Sequence, residues 1–338
     1  MKKPRITILD LGLFESGTSA SQALRDLVRT APLLESLGYE RLWIAEHHEK
    51  HFCYSVPEVV IAAAASVTEH LRLGVAGVLM HFHSPLRVAE TYRALAALFP
   101  NRIDLGLASG LTGDPQIRHA LSPGFELADA LEKRLYATRV RELFSYLENR
   151  VAFENPLYAG PPPIDQVMPP VVMLGGGSGI GNMTLASELG TAFCYSLTHG
   201  KTTNGVRIME QYRERFQPRE SSQAPVCMIA ANVLCGKSMF EAYSMYSQIQ
   251  IAVPGLQANI VGDPLHCRGR IEGLLRKYGC DEIVLFPLYS QRKQKEDAYR
   301  ALADVLELQP RKAHLKSVVN GSTHNSLMAD LTSACMAT

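Results

Sequence analysis

Two short runs carry residue types from which chemistry could be built. The first, from Ala45 to His51, reads Ala-Glu-His-His-Glu-Lys-His and directly follows an apolar, strand-like run. The second, from Gly175 to Gly179, reads Gly-Gly-Gly-Ser-Gly. It falls between a strand-like run and a helical pattern whose apolar face holds Met183, Ala186 and Leu189. An imidazole with a near-neutral pKa beside a carboxylate suits a general base, so His47, with Glu46 to orient it, is the candidate for proton transfer. The competing reading is a structural or solvated histidine, and for His51 that reading is preferred. A metal is not expected. The histidines of His48-Glu49-Lys50-His51 are three apart, where the zinc-protease motif needs four. His47 and His51 have the right spacing only for a helix, and a segment just past a strand end reads as a loop.

The glycine run suits an anion. Small residues let backbone N–H groups approach it, and the following helix start adds partial positive charge. No G-x-G-x-x-G can be aligned there and no Gly-Lys-Ser/Thr follows, so a mononucleotide phosphate fits better than a pyrophosphate. The alternative is a tight turn that merely caps the helix. Further on, His81 and His83 stand just before Ser84-Pro85, where they either meet substrate or cap the helix that Pro85 opens.

Residues so far apart in sequence need a scaffold to bring them together. Short, continuous apolar runs alternate with helical patterns, which signals βα units and a parallel sheet. The expected strands are 5–10, 41–45, 71–79, 103–108, 171–174, 192–196, 226–234 and 282–286. Eight strands close a (β/α)8 TIM barrel, although an open doubly wound sheet would read alike strand by strand. Leu24, Leu27, Val28, Ala31, Leu34 and Leu37 line one helix face that Gly38 ends, and Pro57 and Pro85 open two further helices. In a barrel the loops after the strands share one face. The runs Glu46-His47-His48, Ala76-Gly77, Gly106–Gly110, Gly175–Gly179 and Ser196–His199 all fall after or at strand ends. Residues 1–310 are expected to form one domain. Residues 109–170 form an insertion after the fourth strand that could act as a lid, and 311–338 form a polar tail.

Composition narrows the partner. The formal net charge is +1, from 34 basic and 33 acidic side chains, so no long-range field attracts nucleic acid or an anionic membrane. A small-molecule substrate is the default. Seven scattered cysteines without a C-x-x-C pair, and no apolar run of spanning length, predict reduced thiols in a cytoplasmic protein.

Four runs in order resemble one family. They are Leu-Gly-Tyr-Glu-Arg-Leu-Trp-Ile-Ala-Glu-His-His (37–48), Leu-Arg-Leu-Gly-Val-Ala-Gly-Val-Leu-Met (71–80), Ser-Pro-Leu-Arg-Val-Ala-Glu (84–90) and Phe-Pro-Asn-Arg-Ile-Asp-Leu-Gly-Leu (99–107). Together they look like the bacterial luciferase-like flavin-dependent monooxygenases, and most like the subgroup of natural-product pathways, which implies a place in antibiotic biosynthesis. The resemblance is strong over about residues 4–200 and continues in Val261-Gly262-Asp263-Pro264 and Cys280-Asp281-Glu282. It implies a homodimeric (β/α)8 barrel that takes reduced FMN from a separate flavin reductase and oxygenates a small organic substrate, free or tethered to a carrier protein. By position, His47 matches the family's catalytic base. Ala76 and Gly77 match the pair beneath the flavin ring, joined in relatives by a non-prolyl cis peptide, and Gly175, Gly176, Gly177 and Ser178 match the phosphate loop. Ser109 stands where the family commonly has a phosphate-binding arginine, which leaves an F420-dependent hydride-transfer enzyme and a non-catalytic flavin-binding paralogue as alternatives; a metal hydrolase on the same barrel is a separate one.

Overall fold

The computed structural model describes residues 3–14, 19–110, 114–122, 129–148, 168–177, 179–198, 204–252, 255–289 and 291–310. Nine strands and ten helices follow one another in these residues. In chain order they are β1 (Arg5–Asp10), α1 (Ala20–Ser36), β2 (Arg41–Ile44), α2 (Pro57–Ser66), β3 (Arg72–Leu79), α3 (Pro85–Leu98) and β4 (Ile103–Ala108). Next come α4 (Pro115–Leu121), α5 (Asp129–Leu147), β5 (Val171–Gly176), α6 (Ile180–Glu188), β6 (Ala192–Ser196), α7 (Gly205–Arg215) and β7 (Cys227–Cys235). The chain continues with α8 (Met239–Ala252), β8 (Ile260–Gly262), α9 (Pro264–Tyr278), β9 (Glu282–Pro287) and α10 (Arg292–Val305). The expected tail at 311–338 and much of the expected insertion lie outside the described residues.

Pairing is parallel throughout and runs β1-β2-β3-β4-β5-β6. The β6–β7 pairing (Phe193↔Cys227) and the β7–β9 and β9–β1 pairings (Met228↔Glu282, Ile6↔Ile283) then close the ring. Eight strands therefore make a closed (β/α)8 barrel, which rules out the open doubly wound sheet. The short β8 pairs only with the end of β7 and stands outside the ring. The local reasons are those the sequence offers. Pro57 and Pro85 occupy first-turn positions of α2 and α3, where a missing N–H costs nothing. Gly38, at φ +86°, ends α1, and a Cβ there would meet the Gln309 backbone at 2.6 Å.

Strand alternation divides the apolar residues into two sets. Leu9, Trp43, Ala76, Val172, Cys194, Met228, Ala230 and Val284, drawn from seven strands, fill the barrel interior. Their neighbours Ile8, Leu42, Val75, Met173, Phe193, Ile229 and Ile283 face the helices and form the larger core. At the N-terminal end of the barrel the interior becomes ionic. Arg41 Nε donates to Glu282 Oε1 at 2.7 Å and its Nη1 to Asp104 Oδ2 at 2.7 Å. Trp43 Nε1 (3.0 Å) and the Arg72 guanidinium also donate to Asp104, and Thr7 Oγ1 donates to Glu282 at 2.6 Å. Both carboxylates are fully buried. This plug closes the barrel floor and leaves the opposite end for chemistry.

Candidate active site

Because every barrel strand runs in one direction, the loops that follow the strands share one mouth. The histidine-rich segment leaves β2 there and the glycine run leaves β5, three strands round the ring. The structure therefore brings together two segments about 130 residues apart, as a single site requires.

His47 sits on the loop from 45 to 54. Its N–H donates to the Tyr54 carbonyl at 3.2 Å, and its half-buried ring stacks on Phe52 with centroids 4.2 Å apart. Its Nδ1 lies 3.6 Å from the Glu49 carboxylate. Glu46 is expected from the sequence to orient His47, and its buried carboxylate also binds two further histidines. Oε1 accepts from His48 Nε2 (2.9 Å) and His83 Nε2 (2.7 Å), and Oε2 accepts from the Leu79 N–H (2.8 Å). Glu46 thus ties the loop after β2 to the loop after β3. Burial alone would raise its pKa, but the bonds from His48, His83 and Leu79 outweigh that and hold it at about 2. Burial works against the His83 cation, and the Glu46 carboxylate more than offsets this, so the His83 pKa is raised. Burial, with Glu46 as a like-charged neighbour, pushes Glu58 up.

These values give a test. A carboxyl held at about 2 contributes stability above its ordinary pKa of about 4.3, and that stability is lost as pH falls toward 2. Glu46→Gln is expected to lower stability at pH 7 by about 1–3 kcal/mol and to bring the His83 pKa down. NMR titration of the imidazole reads the second effect; an unmoved His83 pKa would mean that Glu46 does not hold that ring.

Ala76 and Gly77 lie inside β3 and are joined by a cis peptide bond. The β3–β4 register shifts between Val75 and Val78 at this point. A Cβ on Gly77 would meet Leu174 Cδ1 at 2.7 Å and the Ala108 N at 2.9 Å, so only glycine fits between β3, β4 and β5.

On the β5 side, Gly175 and Gly176 are the last residues of the strand, paired with Tyr195 and Ser196 of β6. Gly177 and Gly179 take φ +59° and +56°, and the Gly179 N–H returns to the Gly176 carbonyl at 2.9 Å, a tight turn that delivers the chain into α6. Ser178 lies outside the described residues. The first turn of α6 is open: Ile180 is 54% exposed, and a Cβ on Gly181 would meet nothing within 4 Å. Its first N–H groups have no helical acceptors. Ser109 is exposed, and its Oγ accepts from Asn182 Nδ2 at 3.2 Å; the same amide donates to the Leu174 carbonyl. The His81 ring bonds to the Ser109 backbone, and burial followed by the charges of Arg139 and Arg118 lowers its pKa. Arg139 in turn donates to the Met80 carbonyl (3.2 Å) and the His81 carbonyl. A phosphate monoester suits this cradle of open N–H groups and a hydroxyl. No guanidinium stands at position 109, but two arginines lie close enough to perturb His81.

Sequence reasoning expected Glu46, His47, Ala76, Gly77, Ser109 and the glycines at strand ends; Glu46, His47 and Ser109 follow β2 and β4, Gly175 and Gly176 end β5, and Ala76 and Gly77 lie within β3 instead of at its end. It missed the reach of Glu46 to His83 and the role of Asn182. Neither lies in a motif, and only the three-dimensional meeting of loops reveals them. Among the described residues no group of three or more His, Cys, Asp or Glu side chains has metal-holding geometry, and no helix is long and apolar enough to cross a membrane.

A (β/α)8 barrel with paired strand-end loops of this kind defines the class to which the comparisons also point. The model of the luciferase-like monooxygenases matches residues 5–306, and the chain belongs to that family. It is 33% identical over 202 residues to the N-acetyl-S-alkylcysteine monooxygenase of Bacillus subtilis (strain 168), covering 57% of this chain and 56% of that one. Apo-MsnO8 superposes with a TM-score of 0.79 at 24% identity, over 91% of this chain and all of that one. Two further solved structures share the fold. One is the oxygenating constituent of 3,6-diketocamphane monooxygenase from Pseudomonas putida in complex with FMN (TM-score 0.68, 15% identity, 90% and 98% coverage). The other is an F420-dependent secondary alcohol dehydrogenase with an F420-acetone adduct (0.63, 14%, 90% and 99%). The protein is a flavin-dependent monooxygenase of the luciferase-like family.

Proposed function

We propose that the protein uses reduced FMN, delivered by a separate flavin reductase, and O2 to oxygenate a small organic substrate. The observation that carries this reading is the convergence of the His47 loop and the open first turn of α6 on one barrel mouth. Reduced FMN, when bound, supplies the electrons that activate oxygen. The N–H groups of Gly177, Ile180 and Gly181 and the Ser109 hydroxyl would hold its phosphate. Ala76 and Gly77 would offer the ring a surface without bulky side chains. His47 holds or moves a proton beside the reacting atoms, and Glu46 fixes the loop that carries it. The barrel walls exclude bulk water from the interior.

The cradle predicts a modest phosphate preference. FMN binds more tightly than riboflavin in this reading, and Ser109→Arg, at an exposed position, tightens FMN by about tenfold or more without changing riboflavin. Fluorescence titration of both flavins measures this, and equal affinity for the two would remove the phosphate from the site. Ser109, together with the F420-dependent relative of the same fold, supports one second reading: hydride transfer with F420. Oxygen uptake with reduced FMN separates the two, because deazaflavin chemistry consumes no oxygen.

A further inference from the structure

Outside the barrel, where the ends of β1 and β2 meet α1 and α10, lies a cavity of about 270 Å³. Alternation separates it from the barrel interior. Asp10 shares the outward face of β1 with Ile6 and Ile8, and Leu42 shares that of β2 with Ile44, whereas Leu9 and Trp43 point inward. Leu27, Leu34 and Leu42 give the cavity an apolar floor, each buried to within a few per cent.

Its walls carry two carboxylates and two cations with capacity left over. Lys295 Nζ donates to Asp10 Oδ2 at 2.7 Å, and this is its one bond among the described residues. Arg292 places Nε on Glu296 and Nη1 on Asp26 Oδ1 at 3.2 Å, leaving Nη2 unspent among them. Asp26 Oδ1 also accepts from Gln22, while its Oδ2 has no bond among the described residues. Asp10 Oδ1 is saturated by the Gly12 N–H at 2.8 Å and the more distant Tyr54 hydroxyl. The cavity therefore offers unspent donors on Lys295 and Arg292, an unspent acceptor on Asp26, and an apolar floor.

A lone anion or cation would unbalance a network in which Lys295 faces Asp10, Arg292 faces Asp26 and Glu296, and Arg29 also faces Asp26, partly away from water, where uncompensated charge is costly. A ligand bearing both charges keeps the balance. The volume lies at the small end of ligand cavities, below what a drug-sized or nucleotide ligand needs. We propose that this cavity binds a free α-amino acid with an apolar side chain. Its carboxylate meets Lys295 and Arg292, its ammonium meets Asp26 Oδ2, and its side chain rests on Leu27, Leu34 and Leu42. The proposal does not rest on the flavin reading: Lys295, Arg292 and Asp26, which would meet the ligand, have no part in the flavin site, although Tyr54 of the 45–54 loop lines the cavity.

Isothermal titration of the purified full chain tests it with three probes: L-leucine, 4-methylpentanoate and 3-methylbutylamine. Leucine is expected to bind saturably, and the acid and the amine, each lacking one charge, at least about tenfold more weakly. Ala23→Trp fills the cavity from α1 and should abolish leucine binding. Arg292→Gln, at a side chain 40% exposed, should weaken it at least about tenfold and leave the unfolding midpoint close to that of the wild type. Absence of leucine binding, equal binding of the acid or the amine, or binding that survives the filled cavity would overturn the proposal. Should Ala23→Trp not fold, undiminished binding by Arg292→Gln overturns it equally.

Discussion

His47→Ala is expected to reduce coupled substrate oxygenation by about 10²–10⁴-fold, the range in which positioned acid–base groups act, with the fold intact. The reasons are local. The ring is half-buried at the barrel mouth, stacked on Phe52, and held by a backbone bond to Tyr54 that the substitution leaves in place. Truncation removes a stacking contact of about 0.5–1.5 kcal/mol, too little to unfold a domain of this size. Flavin affinity and the unfolding midpoint are therefore expected to stay near those of the wild type while turnover falls. His48→Ala provides the contrast. His48 is bonded to buried Glu46, so its loss acts through stability and loop position. Product formation with reduced FMN, measured together with thermal unfolding for both variants, separates the roles. Unchanged product formation in His47→Ala would remove this residue from the mechanism.

Arg41→Met is expected to lower folding stability by about 3–5 kcal/mol, the cost of stranding a buried charge. Arg41 bridges Asp104 and Glu282, and neither carboxylate has any solvent exposure. Burial alone would raise the Asp104 carboxyl, but Arg41, Arg72 and the Trp43 N–H outweigh it and hold the pKa below the ordinary value. The contribution of Asp104 to stability is thus present above about pH 3.9 and lost as pH falls through its lower, folded-state value. Arg5, whose side chain is 44% exposed and 3.6 Å from Glu282, should by contrast cost under about 1 kcal/mol when replaced by alanine. Urea unfolding at pH 7 measures both. A change below about 1 kcal/mol for Arg41→Met would mean that Arg72, Trp43, Thr7 and Arg5 compensate the plug without it.

Much of this was legible in the sequence. Apolar runs bounded by Gly and Pro located the eight barrel strands to within one or two residues, because burial on both faces leaves such strands continuous. The end of β5 was missed by two residues: Gly175 and Gly176 read as loop, yet their backbone still pairs with β6, as glycine permits. β8 (Ile260–Gly262) and α4 (Pro115–Leu121) went unread, being too short for periodicity to appear, although Asp114 caps α4 by accepting from the Gln116 N–H. Of the site, residue types and spacing identified which loops matter, but not their bonds. That Glu46 holds His83 depends on how two loops approach, which no local pattern encodes. The ionic floor did leave a signal. Arg5, Arg41, Arg72 and Glu282 each begin a strand and Asp104 stands second in one, a recurrence visible only once the strands are known to be parallel and closed.

The seam between β1 and β9 has a further cost during synthesis. Ile6 pairs with Ile283, and Arg41 and Thr7 both depend on Glu282. Until that late segment is made, the nascent chain carries an unclosed curved sheet with bare strand edges, and Arg41 has only one of its two carboxylates. Such an intermediate invites sticking to other chains, and release from it must await β9.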